Sequence, residues 1–305
     1  MNYSNTISFH FLDFMTKKII FSSLAVIFAS IFFVINDAII NFLSPKKIQF
    51  YHFIFYGSPA YLSVPIYLLI TSQFKAKMYA TNYYIPLIRG LIFAPMPLIT
   101  FISLKNISLP EFTTLNMSSP IFAGIFAVLF LKEKLNFYII ASLILGFLGV
   151  LLVTQPGFEN FNIYFLLTLF GAFLITFSTI IVNKYNTVTT TIGYFVYGGL
   201  FIHLLSLIFF IFDPLKINFD YFLMITFASV FINLAIFLMV FAFKNSQKFY
   251  ASVFCLVYLQ ILWSLLVGII FFGEFLNHIA LFGASFIVIS GLFSIPSQYK
   301  QINTK

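Results

Sequence analysis

Long apolar runs recur along almost the whole chain, separated by short polar or Pro/Gly breaks. The runs occupy residues 18–38, 48–70, 83–104, 111–131, 136–154, 162–182, 191–212, 219–243, 249–272 and 276–295. A helix of roughly 20 apolar residues crosses the hydrocarbon layer of a membrane. Because ten such crossings with short connections use up 305 residues, we predict an all-α integral membrane protein with about ten transmembrane helices.

The residue content supports an exterior that faces lipid. Hydrophobic residues make up 61% of the chain and charged residues 8%, whereas a soluble domain has about 25% charged residues. The first run follows Lys17 and Lys18, but no small-residue cleavage site comes after it, which argues against a cleaved signal sequence. Cys255 is the only cysteine, so disulfides and cysteine metal clusters are excluded. The basic residues are scattered between runs, a pattern typical of topology signals and not of a nucleic-acid surface.

Lysines are distributed unevenly between the two sides that ten crossings define. With both termini in the cytoplasm, the cytoplasmic connections and tails hold Lys17, Lys18, Lys75, Lys77, Lys132, Lys134, Lys184, Lys244, Lys248, Lys300 and Lys305. The opposite side holds Lys46, Lys47, Lys105 and Lys216. Since cytoplasmic connections carry the excess of Lys and Arg, we predict a multi-pass protein of the bacterial cytoplasmic membrane with both termini cytoplasmic.

Short sequence echoes recur in the same order in the two halves of the chain. They pair Leu129–Asn136 with Ile270–Asn277, Lys105-Asn106 with Lys244-Asn245, and Val34–Asn36 with Ile181–Asn183. In the first pair, Glu133 and Glu274 occupy the same position. We therefore predict a cytoplasmic N-terminal segment at 1–17, five-helix repeats at 18–155 and 158–296, and a cytoplasmic tail at 297–305. Because five crossings is an odd number, the second repeat is inverted relative to the first.

An inverted duplication favours a transporter over other classes of membrane protein, because it places a substrate site between the halves and allows alternating access. A membrane-embedded enzyme needs clustered acids, a metal motif or a Ser/His pair, and an ATP-driven pump needs a Gly-rich phosphate loop. The sequence has neither pattern. A channel or a structural membrane protein stays open as an alternative, although neither needs two oppositely oriented copies. We expect no enzymatic activity, no catalytic residues and no cofactor.

Motifs in the fourth, fifth, ninth and tenth runs resemble the EamA family of the drug/metabolite transporter superfamily. They are Ser119–Ala123 leading to Lys132-Glu133, Gln260–Leu262 leading to Gly273-Glu274, and the glycines Gly149, Gly283 and Gly291. The resemblance implies ten helices in two inverted EamA-like repeats, over about residues 18–295. Ser119 and Gln260 stand where family members often carry Glu, and Ile261 replaces a Pro. These departures argue against proton coupling at the two positions.

A narrower resemblance is to bacterial S-adenosylmethionine carriers. It rests on Asn36-Asp37, Arg89-Gly90, Asn183-Lys184 and Tyr258–Gln260. This resemblance implies S-adenosylmethionine as a substrate, and export of amino acids or other metabolites is the alternative. The expected partners are a small-molecule substrate and the lipid bilayer, with no nucleic acid. A monomer and a homodimer both fit the sequence.

Polar side chains inside the runs are the candidate substrate ligands, because ionisable groups in a span are costly and usually face a cavity or a partner. The candidates are Asn36, Asp37, Arg89, Asn116, Asn233, Tyr258, Gln260 and Trp263. For Asp37 and Arg89, the alternative is that both lie near a membrane face and reach out to water. For the amides, the alternative is hydrogen bonding between helices. No metal ligand is predicted. The sequence thus predicts a secondary transporter of a small polar or zwitterionic metabolite.

Two further groups of polar residues receive structural interpretations. His52 and His203 are interpreted as packing residues that are hydrogen-bonded within the bundle. Glu133 and Glu274, in turns at the ends of their runs, are interpreted as caps at the positive N-terminal end of the next helix.

Overall fold

The computed structural model describes residues 3–43, 48–107, 109–156, 162–272 and 277–303, and these ranges are almost entirely helical. The helices are α1 (Tyr3–Leu43), α2 (Phe50–Ile70), α3 (Phe74–Met78), α4 (Tyr84–Phe93), α5 (Met96–Asn106), α6 (Leu109–Asn116), α7 (Ser119–Leu131), α8 (Phe137–Thr154), α9 (Ile163–Lys184), α10 (Thr191–Phe212), α11 (Phe219–Asn245), α12 (Tyr250–Phe254), α13 (Leu259–Phe272) and α14 (His278–Asn303). Two 3-10 turns, Gln247–Phe249 and Cys255–Tyr258, flank α12.

The helices supply ten apolar segments, which confirms the predicted fold class. Within the described ranges, nine segments have the length and hydropathy of a membrane span, namely Lys17–Ile40, Phe50–Ile70, Tyr84–Ser103, Phe112–Leu131, Phe137–Thr154, Ile163–Lys184, Thr191–Phe212, Phe219–Asn245 and Gln247–Ile270. The tenth, His278–Ser294, is a shorter apolar helix. These segments are called spans one to ten below. The helix of span one begins at Tyr3, so residues 3–16 continue it.

Three spans are interrupted along their length. Span three consists of α4 and α5, which meet at Ala94 and Pro95. In span four, α6 ends at Asn116 and α7 begins at Ser119. In span nine, the 3-10 turn Cys255–Tyr258 separates α12 from α13. Interruptions at membrane depth are tolerated where the backbone is buried in protein or lines a cavity.

Spans five and ten pack closely through small residues. Ser142 Oγ donates to the Ser290 carbonyl oxygen at 2.8 Å, and Ser290 Oγ donates to the Ser142 carbonyl oxygen at 2.7 Å. A Cβ atom at Gly149 would lie 2.8 Å from the Gly283 carbonyl oxygen, and one at Gly283 would lie 2.8 Å from that of Gly149. In the register that aligns the two halves, Ser142 corresponds to Gly283 and Gly149 to Ser290. The two contacts are therefore images of each other.

Six further contacts between spans follow the same exchange of halves. Span one packs against span eight, and span six against span three. Span two packs against span eight, and span seven against span three. Span four contacts span six, and span nine contacts span one. If spans one to five are exchanged with spans six to ten in order, the first contact in each of these three sentences becomes the second. This is expected for two related five-span units. The repeat boundaries at 18–155 and 158–296 stay predictions.

Candidate ligand-binding cavity

A cavity of about 560 Å³ lies between the two halves of the bundle. Its described lining residues come from spans one to four and six to nine, whereas spans five and ten contribute none. Much of the wall is aromatic and includes Phe33, Phe50, Phe53, Phe93, Phe101, Phe112, Phe195 and Phe254. Sites for small molecules occupy roughly 300–1,000 Å³, so this cavity has the size of a metabolite site.

The structure brings six of the eight sequence-predicted residues to this cavity. They are Asn36, Asp37, Arg89, Asn116, Asn233 and Gln260. The other two lie between helices, outside the cavity wall. Tyr258 is buried and donates its hydroxyl hydrogen to the Leu143 carbonyl oxygen at 3.2 Å, and Trp263 Nε1 donates to Ser30 Oγ at 3.0 Å. In this structure these two side chains join spans of opposite halves.

Arg89 lines the cavity from α4 and is only 3% exposed. Its Cζ atom lies 5.3 Å from the centroid of the Phe93 ring. The Nε and Nη1 atoms are buried and have no hydrogen-bond partner among the described residues. A buried charge is costly unless it is paired. The guanidinium is therefore available to an anionic group in the cavity.

Glycines in spans three and seven make room for this guanidinium. A Cβ atom at Gly198 would lie 1.8 Å from Arg89 Nη1. A Cβ atom at Gly90 would lie 2.6 Å from the Tyr197 carbonyl oxygen. Because neither glycine has a side chain, α4 can approach α10 closely, and Arg89 can lie directly against the backbone of span seven.

Asp37 faces the cavity from span one and is exposed there. Asn36 Nδ2 donates to Asp37 Oδ1 at 3.2 Å, and Asn36 Oδ1 is buried without a partner in the described part of the chain. No ion pair joins Asp37 to Arg89 in the described part of the chain, where Arg89 Nε and Nη1 have no hydrogen-bond partner. Asp37 and Arg89 therefore line the same cavity without pairing with each other.

Several lining residues were not among the sequence-predicted ligands. The Tyr61 and His203 rings stack with their centroids 3.9 Å apart, and His203 Nδ1 lies 2.8 Å from the Gly199 carbonyl oxygen. Asn233 Nδ2 donates to the carbonyl oxygen of Ser229, itself a lining residue, at 2.8 Å. The adjacent glycines in span seven were the signal that could have indicated a close approach. Phe has no such signal, because 46 Phe residues are spread over the chain.

Hydrogen bonds join the connection at 71–83 to the connection at 185–190 at one end of the bundle. Thr190 Oγ1 donates to the Lys77 carbonyl oxygen at 2.5 Å, and Thr189 Oγ1 donates to the Tyr79 carbonyl oxygen at 2.7 Å. Ala80 also forms an antiparallel bridge with Thr189. No described residue of either connection lines the cavity.

The cavity extends toward the opposite end of the bundle. Leu43, Ile48 and Gln49, next to the connection between spans one and two, line it together with Phe101 and Phe112 of spans three and four. At this end the start of span two is hydrogen-bonded to the connection between spans seven and eight. The bonds run from the Tyr51 hydroxyl to Asp213, from His52 Nε2 to the Asp213 carbonyl oxygen at 2.7 Å, and from the Tyr56 hydroxyl to the Leu215 carbonyl oxygen at 2.5 Å.

The buried acid Glu133 lies outside this cavity, between spans four and five. The Ala251 backbone N–H, at the start of α12, donates to Glu133 Oε2 at 3.4 Å, whereas the next helix, α8, is capped by Asn136 Oδ1. The interpretation of Glu133 as a cap of the next helix was therefore wrong, because Asn136 already satisfies that helix and Glu133 turns toward span nine. Glu274 lies outside the described residues. Those residues also hold no group of three His, Cys, Asp or Glu side chains suited to a metal ion.

Comparison with known proteins gives matches over part and over nearly all of the chain. The EamA-like transporter family matches residues 16–155. A Helicobacter pylori protein (strain J99) named an uncharacterized transporter is 23% identical over 308 residues, covering 94% of this chain and 99% of that protein. An Archaeoglobus fulgidus protein of the same name is 29% identical over 85 residues, covering 27% of this chain and 31% of that protein.

A solved crystal structure has the same fold. Its TM-score to this chain is 0.74 at 13% sequence identity, over 94% of this chain and 99% of the other. Identity this low carries information about the fold alone. Taken with the ten apolar segments, the matches show a multi-pass membrane protein in which residues 16–155 match the EamA-like transporter family.

Proposed function

We propose that this chain is a secondary transporter that carries a small polar organic metabolite across the bacterial cytoplasmic membrane by alternating access. The observation that carries the proposal is the cavity of about 560 Å³ between the halves, which is lined by residues near one end of the bundle and by no described residue of the joined connections at the other end. In transporters built from inverted repeats, the substrate site lies at the interface of the repeats.

The contacts at the two ends of the bundle also support alternating access. Each end is fastened by bonds from the start of a span in one half to a connection in the other half. Breaking one set while keeping the other would expose the same cavity to the opposite side. The proposed substrate class includes S-adenosylmethionine, and amino acids or other exported metabolites are the alternative. The relatives named as transporters agree with this class of function.

Transport by the purified full chain in proteoliposomes tests the proposal. Uptake of labelled S-adenosylmethionine and neutral amino acids should saturate for at least one compound, and preloading the vesicles with the same compound should accelerate it. Linear uptake of every compound, without counterflow, would contradict the carrier mechanism.

A matched pair of variants tests whether the cavity is the transport site. Asn116 lines the cavity, whereas Asn106 is exposed near the end of span three. Asn116→Ala should lower the transport rate at unchanged membrane abundance, and Asn106→Ala should not. Gln260→Ala gives a second change in the cavity wall, from span nine. If all of these variants transport at the same rate, the cavity is not the transport site.

A further inference from the structure

We infer that the cavity binds a zwitterion of the amino-acid type, with the substrate carboxylate at Arg89 and the substrate cation at Asp37. The inference rests on the proposed transport function and adds the charge pattern of the substrate and the side chain that contacts each charge. The described wall holds one arginine and one acid, Arg89 and Asp37, which do not pair with each other.

The guanidinium of Arg89 has the properties of an anion subsite. It is 97% removed from solvent, lines the cavity, and keeps Nε and Nη1 without a protein partner in the described chain. Arginine presents N–H donors in a planar fork that matches the two oxygens of a carboxylate. A ligand carboxylate would supply both the missing countercharge and the missing acceptors.

The neighbours of Arg89 hold the guanidinium in one place. Gly198 leaves no space for a Cβ atom beside Nη1, and the Phe93 ring lies 5.3 Å from Cζ on another side. Immobilising a side chain before the ligand arrives reduces the entropy lost on binding. This packing distinguishes Arg89 from a surface arginine that reaches out to water.

Asp37 provides the opposite charge in the wall of the same cavity. Its carboxylate is open to the cavity and is oriented by the Asn36 amide at 3.2 Å. An ionised carboxylate only accepts hydrogen bonds, so it suits an ammonium or another cationic group. The unpartnered Asn36 Oδ1 is a second acceptor next to it.

The pair of charges favours a zwitterion over a singly charged ligand. A ligand with only a negative charge, bound at Arg89, would leave Asp37 without a countercharge in a largely aromatic wall. A ligand with only a positive charge, bound at Asp37, would leave Arg89 without a countercharge. Arg89 is buried, and a ligand that fills the cavity displaces the water beside the exposed Asp37 carboxylate. Unpaired charges away from water are costly. A ligand with both charges neutralises both side chains at once.

The unmodified full chain in nanodiscs provides the first test, with L-methionine and S-adenosylmethionine as zwitterionic probes. Methioninamide lacks the carboxylate, and N-acetylmethionine lacks the ammonium. We expect at least one zwitterion to raise the unfolding temperature, and each analogue to require at least tenfold more ligand for the same shift. If methioninamide and L-methionine shift the unfolding temperature equally, the assignment of the carboxylate to Arg89 is overturned. If N-acetylmethionine and L-methionine shift it equally, the assignment of the cation to Asp37 is overturned.

Substitutions separate recognition from folding, because the readout is a ratio between two ligands. Arg89→Gln should bring the preference for L-methionine over methioninamide close to one. Asp37→Asn should bring the preference for L-methionine over N-acetylmethionine close to one. Gly198→Ala should act like Arg89→Gln by displacing the guanidinium. Gly291→Ala is its control, since a Cβ atom there would lie 3.8 Å from Leu259 Cδ2, its nearest neighbour among the described residues.

Failure of this inference differs visibly from failure of the transport function. If uptake saturates but both ligand preferences survive Arg89→Gln and Asp37→Asn, transport stands and the charge assignment falls. If no compound shows saturable uptake or counterflow, the transport function falls and the inference falls with it.

Discussion

Tyr56 and Tyr197 occupy the seventh positions of α2 and α10, and each donates its hydroxyl hydrogen to a backbone carbonyl of the opposite half. Tyr56 bonds to Leu215 at 2.5 Å and Tyr197 to Met78 at 2.9 Å. The two bonds lie at opposite ends of the bundle. Equivalent tyrosines therefore fasten the two ends in the same way, although the cavity extends toward only one of them.

Removing one of these hydroxyls should shift the balance between the two open states. Tyr197→Phe loses one hydrogen bond, worth about 1 kcal/mol net, which corresponds to about a fivefold change in the equilibrium. We expect the cavity to become more accessible from the end that carries α3. Tyr56→Phe should act in the opposite direction.

Thiol labelling measures this accessibility. Cys255 is buried, and Cys255→Ala gives a background without cysteine. In that background, Ile236→Cys places a thiol in the cavity wall. An impermeant maleimide added to vesicles of each orientation should label it faster from the α3 side in Tyr197→Phe. Identical rates in both tyrosine variants would show that these bonds do not control access.

Glu133 should make stability depend on pH. Burial raises the pKa of its carboxyl from 4.5 to about 8, and hydrogen bonds from the Ala251 and Tyr250 backbone oppose this shift only in part. Between these two pKa values the folded chain binds a proton that the unfolded chain releases, so stability falls as pH rises from about 5 to about 8. Thermal unfolding in detergent should show this decline, and Glu133→Gln should flatten it.

Asp220→Asn is the control for this experiment. It makes the same acid-to-amide change at an exposed position in the first turn of α11. Its pH profile should follow that of the unmodified chain. A decline that persists in Glu133→Gln would assign the pH dependence to another group.

Alanine at either glycine of the span five to span ten contact should destabilise the protein. The added methyl group at Gly149 or Gly283 would lie 2.7 Å from its nearest neighbour, and overpacking of this kind costs about 1–3 kcal/mol. Thermal unfolding of the purified protein measures the loss. Gly291→Ala, on the same helix as Gly283, should be neutral or slightly stabilising, because alanine favours a helix more than glycine does. An equal loss there would show that the close contacts at Gly149 and Gly283 are not the cause.

Asn183 and Asn36 should separate stability from transport. Asn183 Nδ2 lies 2.9 Å from the Phe243 carbonyl oxygen and 3.0 Å from Ser246 Oγ, and leaving such buried groups unsatisfied costs about 1–3 kcal/mol. Asn183→Ala should therefore lower the unfolding temperature. Asn36→Ala removes an amide with an unpartnered oxygen at the cavity, so it should lower uptake with little effect on unfolding. If Asn183→Ala lowers only uptake and Asn36→Ala lowers only the unfolding temperature, Asn183 acts in transport and Asn36 in stability.

Span positions could be predicted from the sequence, because the hydrocarbon thickness fixes the length of each apolar run. The run at 83–104, for example, corresponds to Tyr84–Ser103 in the structure. The interruptions within spans were harder to predict. Pro95 lies at a break, but Pro59 and Pro65 lie inside the continuous helix α2, and the 3-10 turn Cys255–Tyr258 contains neither Pro nor Gly. That turn contacts α1, α8 and α14, which its local sequence does not identify.

The candidate site shows the same limit at the level of side chains. The cost of placing polar groups in a membrane singled out Asp37 and Arg89, which both line the cavity. Trp263 was a candidate because it lies in the middle of a span, yet it bonds to Ser30 on a helix more than 200 residues away along the chain. Whether a polar side chain meets a cavity or a partner depends on a helix that its local sequence does not identify.

The contact between Arg89 and Gly198 links two positions in different spans. Any side chain at 198 would occupy the space of the guanidinium, since even a Cβ atom would lie 1.8 Å from Nη1. A relative with alanine at this position can keep the same helix packing only if it carries a shorter residue at 89. Residue identities at the two positions should therefore covary among homologues, and gain of a side chain at 198 should accompany a change in substrate charge.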